Sequence, residues 1–315
     1  MPLDSRTQAL LENFHGGAAA AVAVATSVTE RRHASDAYMT AIWDAIGLQP
    51  VAEIGERFIP GRDGAAVRIR FYRPDRSGLL PVYVWIHGGA FSAGSLDMYE
   101  YQCRATANAV DALVVSVDYR LAPEYRFPQG FEDCWSALQW VTTHALELGG
   151  DARRIAIGGE SAGAALTAAT CLRARDEAGP ALALQVLEIP VLDSSCGTPS
   201  MREFDPTGAM RTMWDTYLPP DTERDNPYAS PAHATDLGGL PPAIIITAEC
   251  DAFRDEGEAY GLRLKEAGVP TVVTRILGTA HMIFAGTPTL DAARHAREAI
   301  AHTALRAALG HGGSG

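Results

Sequence analysis

Short, almost wholly apolar runs that alternate with longer helix-like segments constrain the fold of this chain more than any other feature. Residues 82–86 and 113–117 contain no charged side chain, which is typical of strands that are covered on both faces. Residues 67–72 have a period of two, with polar and apolar side chains alternating, as in a half-buried strand. Strands that alternate with helices build a mostly parallel sheet with helices on both faces. The sequence therefore predicts an α/β fold.

Further segments continue this alternation along the chain. Four apolar runs predict additional strands, at residues 155–157, 184–191, 243–248 and 271–276. Four longer segments predict helices, at residues 131–148, 162–174, 256–267 and 290–309. Active sites in sheets of this kind lie at the carboxyl ends of the strands. The residues that directly follow the predicted strands are therefore the candidates for chemistry.

Two segments fall outside the alternation. Residues 1–47 are helix-like and rich in alanine, and residues 196–226 interrupt the pattern late in the sheet. We expect the two segments together to form a cap over the active site; the alternative for the first is that it simply packs on a surface. The predicted core is then in two parts, followed by a flexible tail: residues 48–195, 227–309 and 310–315.

Charge and cysteine content exclude several classes of partner. The chain has 26 Lys and Arg against 38 Asp and Glu, and this net charge of −12 repels nucleic-acid phosphates. Five widely spaced cysteines without a Cys-x-x-Cys motif indicate neither a disulfide framework nor a zinc site. We predict a cytoplasmic protein with no cofactor, metal, nucleic-acid or membrane partner. The oligomeric state stays open, with a homodimer as the alternative to a monomer.

A pentapeptide, Gly-Glu-Ser-Ala-Gly at 159–163, joins the predicted strand 155–157 to the predicted helix 162–174. This is the strand-turn-helix context of a nucleophile elbow, where a serine stands at a sharp turn. A phosphate-binding loop would need Lys and then Ser or Thr after Gly163, where the chain has two alanines. The pentapeptide therefore predicts Ser161 as a nucleophile, although small-residue clusters can also serve only helix packing.

A second glycine-rich loop, His-Gly-Gly-Ala-Phe at 87–91, follows the predicted strand 82–86. A loop that supplies oxyanion-hole amides is expected at this place in the fold. Acyl transfer puts negative charge on the former carbonyl oxygen, and each preset backbone N–H can lower the barrier by ~3 kcal/mol. We predict the amides of Gly88, Gly89 and Ala162 as the oxyanion hole, and His87 as an orienting hydrogen-bonding residue.

The base must follow Ser161, because the chain order in this fold is nucleophile, acid, histidine. His281 is the best placed, since it stands in a short loop after the predicted strand 271–276. The other candidates lie in a predicted helix, in the tail, or upstream of the strand that should deliver the acid: His233, His295, His302 and His311.

Asp251 is the predicted acid, because it closely follows the strand 243–248 and precedes His281. Asp255 competes with it. Together with Glu256, however, Asp255 resembles the first turn of a helix, where carboxylates favour the positive end of the helix dipole. We therefore predict a Ser161–His281–Asp251 triad.

With these residues in place, the sequence resembles the hormone-sensitive-lipase-like group of bacterial carboxylesterases, from about residue 51 to 305. The resemblance is carried by His-Gly-Gly-Ala at 87–90, Asp-Tyr-Arg-Leu-Ala-Pro-Glu at 118–124, the pentapeptide at 159–163, Asp-Ala-Phe-Arg-Asp-Glu-Gly at 251–257, and His281. Residues 187–190 and 228–231 are similar to actinobacterial acetyl esterases of the heroin-esterase type.

The resemblance implies an α/β-hydrolase fold, with a mostly parallel central sheet, flanking helices and a helical cap. It also implies the triad and oxyanion hole predicted above. The chain departs from the family at Met282, since the family often has Gly-Phe after the histidine. We expect Phe91, Trp214 and Met282 to line the substrate pocket.

These observations predict a serine carboxylesterase that hydrolyses short-acyl, acetyl-like esters through an acyl-enzyme intermediate. Short acyl chains are expected because no long apolar lid helix is evident. Two alternatives use the same scaffold: an acyltransferase or biosynthetic tailoring hydrolase, and a non-catalytic small-molecule receptor. The presence of all three triad residues favours an enzyme over a receptor.

Overall fold

The central sheet has eight strands in the part of the chain that the computed structural model describes, residues 27–281 and 288–310. In chain order the strands are β1 Glu53–Pro60, β2 Ala66–Arg73, β3 Leu80–Ile86, β4 Leu113–Asp118, β5 Gly150–Glu160, β6 Leu184–Glu188, β7 Ala243–Cys250 and β8 Thr271–Ala280. Their order across the sheet is 1-2-4-3-5-6-7-8. β2 runs antiparallel to both its neighbours, and the other pairs are parallel. The predicted α/β fold is confirmed.

Helices cover both faces of this sheet. They are α1 Val28–Ile46, α2 Glu100–Val110, α3 Gln129–His144, α4 Ala162–Asp176, α5 Pro199–Phe204, α6 Ala209–Tyr217, α7 Arg254–Glu266 and α8 Pro288–Leu309, with short 3-10 turns at Ala145–Leu148 and Pro231–His233. All four predicted helices are present, and the predicted helix 131–148 ends in the first of the two 3-10 turns. No helix in the described part is long and apolar enough to cross a membrane.

β3 shows why the central strands are apolar throughout. Val82 and Val84 face a core built with α3, α4 and α7, whereas Tyr83 and Trp85 face a second core built with α1, α2 and α8. Successive side chains of a strand point to opposite faces, so a strand between two cores has no position for a charge. The sheet therefore divides two hydrophobic cores, as the unbroken apolar runs predict.

The structure differs from the sequence prediction at two strands. β1 was not predicted, because it is an edge strand with mostly exposed side chains and lacks an apolar periodicity. The predicted strand 184–191 ends at Glu188, since Ile189 has a φ of 41° and the chain turns out of the sheet there. This early end brings Ile189 to the cavity described below.

Candidate active site

Ser161 stands at the turn between β5 and α4, with a φ of 56° and a ψ of −120°. Such backbone geometry costs a residue other than glycine of order 1–3 kcal/mol and persists only where the surroundings fix it. One such restraint is the Ser161 amide, which donates to the Glu188 carbonyl oxygen of the neighbouring strand at 2.8 Å. Gly163 permits the tight packing, because a Cβ there would collide with the carbonyl oxygens of Ile86 and His87. The chain thus holds the serine in one strained position.

A chain of two hydrogen bonds links Ser161, His281 and Asp251. Ser161 Oγ lies 2.8 Å from His281 Nε2, and His281 Nδ1 lies 2.9 Å from Asp251 Oδ2. The other carboxylate oxygen of Asp251 accepts from the Phe253 amide at 3.0 Å. The three residues directly follow β5, β7 and β8, at the carboxyl edge of the sheet. Asp255 instead accepts from the Ser200 amide at 2.8 Å, in the first turn of α7.

The surroundings of His281 suit it to accept a proton. Burial acts to lower its pKa, but the charge of Asp251 and its hydrogen bond raise the pKa above the ordinary value. A carboxylate can only accept, so Nδ1 carries the proton and Nε2 is left to accept from the serine hydroxyl. The arrangement can therefore move a proton from Ser161 to His281.

The loop at 87–91 crosses directly beside the nucleophile turn. Its residues Gly89, Ala90 and Phe91 have φ values of 120°, 54° and 58°. A Cβ on Gly88 would come within 3.0 Å of the Glu160 carbonyl oxygen. Among the described residues, the amides of Gly88, Gly89 and Ala162 donate to no hydrogen-bond acceptor. These three amides are thus free to bind an oxygen atom of a ligand.

His87 supports this loop from behind. Its fully buried ring stacks on Tyr119 at 4.3 Å and on Tyr99 at 5.7 Å between centroids. The Tyr119 hydroxyl donates to the His87 carbonyl oxygen at 3.0 Å. Burial lowers the pKa of His87, which favours a neutral imidazole. The orienting role expected for His87 therefore has a specific set of contacts.

A cavity of about 350 Å³ opens onto Ser161 and His281. Its walls come from the start of α1, the loop at 89–93, the segment before α2, the ends of β5 and β6, α6, and the start of α7. The lining residues are Val28, Arg32, Ser35, Gly89, Ala90, Ser92, Ala93, Met98, Tyr99, Glu160, Ser161, Ile189, Met210, Met213, Phe253 and His281. Most of this lining is apolar, as is usual for a site that binds a small organic molecule.

The structure corrects the expectation for two of the predicted pocket residues. Phe91 and Trp214 are buried behind the cavity wall, where the Phe91 ring stacks on Tyr217 at 3.8 Å and lies 5.4 Å from Trp214. Met210 and Met213 of α6 line the cavity instead. They share one face of the helix with Trp214 and Tyr217, at the spacing i, i+3, i+4, i+7, so the sequence does not tell which of the four reach the cavity. Met282, the third predicted pocket residue, lies outside the described residues.

Comparison with known proteins gives the family. Residues 83–285 match the family described as alpha/beta hydrolase fold. The chain belongs to this family. Carboxylic ester hydrolase LipN of Mycobacterium tuberculosis is 40% identical over 259 residues, which cover 78% of this chain and 68% of LipN. An arylesterase of Saccharolobus solfataricus is 39% identical over 254 residues, which cover 78% of this chain and 81% of the arylesterase.

Solved structures agree with these relatives. A bacterial heroin esterase superposes with a TM-score of 0.83 at 39% identity, over 90% of this chain and 92% of its own. This α/β hydrolase is therefore a carboxylic-ester hydrolase of the hormone-sensitive-lipase-like group. The fold, the family and the class of enzyme predicted from the sequence are confirmed.

In this esterase, polar contacts near both ends of α1 hold the helix beside the cavity. Arg32 donates to the carbonyl oxygens of Ser92 and Ala122 at 2.6 and 2.8 Å and pairs with Glu124 at 2.7 Å. Trp43 donates to the Met98 carbonyl oxygen at 2.7 Å. Sequence reasoning missed Arg32, since its three partners lie some sixty or more positions along the chain.

Proposed function

We propose that this esterase hydrolyses short-acyl esters through an acyl-enzyme intermediate on Ser161. The observation that carries the proposal is the hydrogen-bonded chain from Ser161 through His281 to Asp251, which opens onto the cavity. The volume of about 350 Å³ lies near the lower end for ligand pockets. A small, mostly apolar cavity favours an acetyl-like acyl group on a small alcohol.

The proposed reaction has two halves. Ser161 Oγ attacks the ester carbonyl carbon while its proton passes to His281 Nε2, and Asp251 stabilises the imidazolium. The amides of Gly88, Gly89 and Ala162 donate to the oxyanion, and His281 then protonates the departing alcohol. Water, deprotonated by His281, attacks the acyl carbon, and release of the acid restores the serine.

Replacement of Ser161 by alanine tests the assignment. We expect kcat for a chromogenic acetyl ester to fall by about 10⁴-fold or more, because no other group can carry the acyl intermediate. Ser136→Ala is the matched control, since Ser136 lies on α3, away from the cavity, and its hydroxyl donates to the Glu132 carbonyl oxygen within the same helix. A serine-directed fluorophosphonate should label the wild type and Ser136→Ala but not Ser161→Ala. Turnover that survives in Ser161→Ala would overturn the proposal.

The same ester assays also test the preferred length of the acyl chain and the hydroxyl compound that accepts the acyl group. We expect kcat/KM to fall from acetyl to octanoyl esters, because the cavity walls limit the acyl group. Product analysis with added alcohols measures how the acyl group divides between water and another hydroxyl. Predominant transfer to an alcohol at low concentration would favour an acyltransferase instead.

A further inference from the structure

Two carboxylates lie side by side at the end of the sheet that carries Ser161. Glu160 ends β5 and Glu188 ends β6, and the two are paired in the strand register. Both side chains are buried, with exposures of 1% and 7%. Paired positions on neighbouring strands put side chains on the same face and about 5 Å apart. Two buried like charges at this distance are unfavourable unless a cation separates them.

Arg297 of α8 supplies that cation. It donates to Glu160 Oε2 at 2.9 Å, and its Nε lies 2.9 Å from Glu188 Oε2. Arg297 is itself only 1% exposed. Burial raises the pKa of Glu188 to about 7 and raises that of Glu160, and the charge of Arg297 opposes both shifts. The three side chains form one buried ion cluster, through which α8 contacts the ends of β5 and β6.

The cluster holds both strands that define the nucleophile turn. Glu160 directly precedes Ser161, and the Glu188 carbonyl oxygen accepts the Ser161 amide. The Tyr99 hydroxyl also donates to Glu160 Oε1, at 3.3 Å. A shift of β5 relative to β6 would therefore break bonds to side chains and backbone together. The strained φ of Ser161 requires such a restraint.

The cluster also places charge close to the proposed base. Glu160 lines the same cavity as His281, and its carboxylate is among the groups that raise the pKa of His281. Arg297 acts in the opposite direction. The other charged or titratable groups that face this cluster or the base are Tyr83, Tyr99, Glu188, Asp251, Glu298 and His302.

We propose that the Glu160–Arg297–Glu188 ion cluster positions the Ser161 turn for ester hydrolysis, and that Glu160 in particular stabilises the imidazolium form of His281. The proposal rests on the proposed function, because it takes Ser161 as the nucleophile and His281 as the base. Glu160 and Arg297 are positioning residues in this scheme. They act on the reaction through Ser161 and His281.

The pH dependence of kcat/KM for the chromogenic ester tests the role of Glu160. His281 must be neutral to accept the proton, so kcat/KM falls as the pH decreases through the pKa of His281. Glu160→Gln removes a negative charge that favours the imidazolium, and we expect the acidic limb to move to lower pH by about half a unit or more. Glu188→Gln is the matched control, since Glu188 belongs to the same cluster but, unlike Glu160, is not among the main groups that shift the pKa of His281. The acidic limb of the kcat/KM profile should move less in Glu188→Gln than in Glu160→Gln.

Arg297→Lys tests the positioning role separately. Lysine keeps the charge, but its single ammonium lacks the fork that reaches both carboxylates. We expect kcat to fall about tenfold with little change in KM, since the turn and not the cavity is disturbed. Retention of wild-type kcat by Arg297→Lys would overturn the positioning role.

The remaining outcomes separate the two proposals. If the acidic limb of the pH profile moves equally in Glu160→Gln and Glu188→Gln, or in neither, the role of Glu160 is overturned. A cluster with a merely structural role would lower the activity but would not move the limb in one variant more than in the other. If Ser161→Ala is inactive and these limbs do not differ, only the present inference fails. If Ser161→Ala remains active, the proposed function itself fails. Circular dichroism of each variant establishes that it is folded.

Discussion

The residues around Ser161 leave almost no room for substitution. The serine is held with a positive φ, and its turn is closed by Gly163, which packs against the carbonyl oxygens of Ile86 and His87. Those oxygens belong to the backbone of β3 and the loop that follows it, so they cannot move aside as a flexible side chain can. Glycine is therefore required at position 163 because there is no room for a Cβ, although alanine is the better helix former.

Gly163→Ala is expected to lower the free energy of unfolding by about 1–3 kcal/mol, because the new methyl group has no space. Gly197→Ala is the matched control, since Gly197 has an ordinary φ and its nearest neighbour in that direction is the Ser195 hydroxyl at 3.3 Å. Its effect should stay within about 0.5 kcal/mol. Urea denaturation measures both values. Equal effects for the two variants would contradict this account of the turn.

Among the elements, α6 divides one apolar face between the core and the cavity. Trp214 and Tyr217 pack into the core with Phe91, whereas Met210 and Met213 line the cavity. Methionine side chains are unbranched and adapt to irregular surfaces, which suits a wall that contacts ligands. The length of acyl group that the cavity admits should therefore depend on this helix.

Met213→Ala is expected to widen the cavity. The ratio of kcat/KM for an octanoyl ester to that for an acetyl ester should rise about tenfold, because a pocket gains a few kcal/mol at most from each added methylene. Thr212→Ala, one residue earlier on the exposed side of α6, should leave the ratio unchanged. If the ratio is unchanged in Met213→Ala, α6 does not contact the acyl group and this prediction is wrong.

The elements also show what sequence reasoning could and could not reach. β3 and β4 were predicted because both faces are buried. Asp251 and His281 were expected to lie together because strand ends are predictable, and their side chains are 2.9 Å apart. β1 was not predicted, since an exposed strand has no apolar periodicity. The division of α6 between core and cavity was not predicted either, since its four large apolar residues share one helical face. The contact of Arg297 with Glu160 joins residues 137 positions apart. A single sequence carries no signal for such a pair.

At the scale of the whole molecule, the two edges of the sheet differ. β1 carries Glu53, Glu56 and Arg57, and charges of this kind discourage pairing with another strand. β8 exposes Val272 and Leu277, with exposures of 52% and 61%, and pairs only with β7 among the described strands. Its open edge is therefore a template for strand pairing with a second copy of the chain.

We expect a homodimer that pairs β8 with β8 of the partner copy. Val272→Lys should convert it to a monomer, because a lysine on this strand would bring a charge without a partner into the interface. Phe58→Lys on β1 is the control, since Phe58 is an apolar residue at the opposite edge that is even more exposed, at 72%. Sedimentation velocity distinguishes the species. A wild type that sediments as a monomer at micromolar concentration would contradict this prediction.

The position of β8 as the last described strand also bears on when the enzyme becomes active during its synthesis. Ser161 and Asp251 leave the ribosome before His281, and the base stands directly after the edge strand. Under the proposed chemistry, a nascent chain that has folded β1 to β7 carries a nucleophile without a base. Such a chain lacks the group that activates Ser161, and reactivity toward a fluorophosphonate becomes a marker for molecules in which β8 has docked.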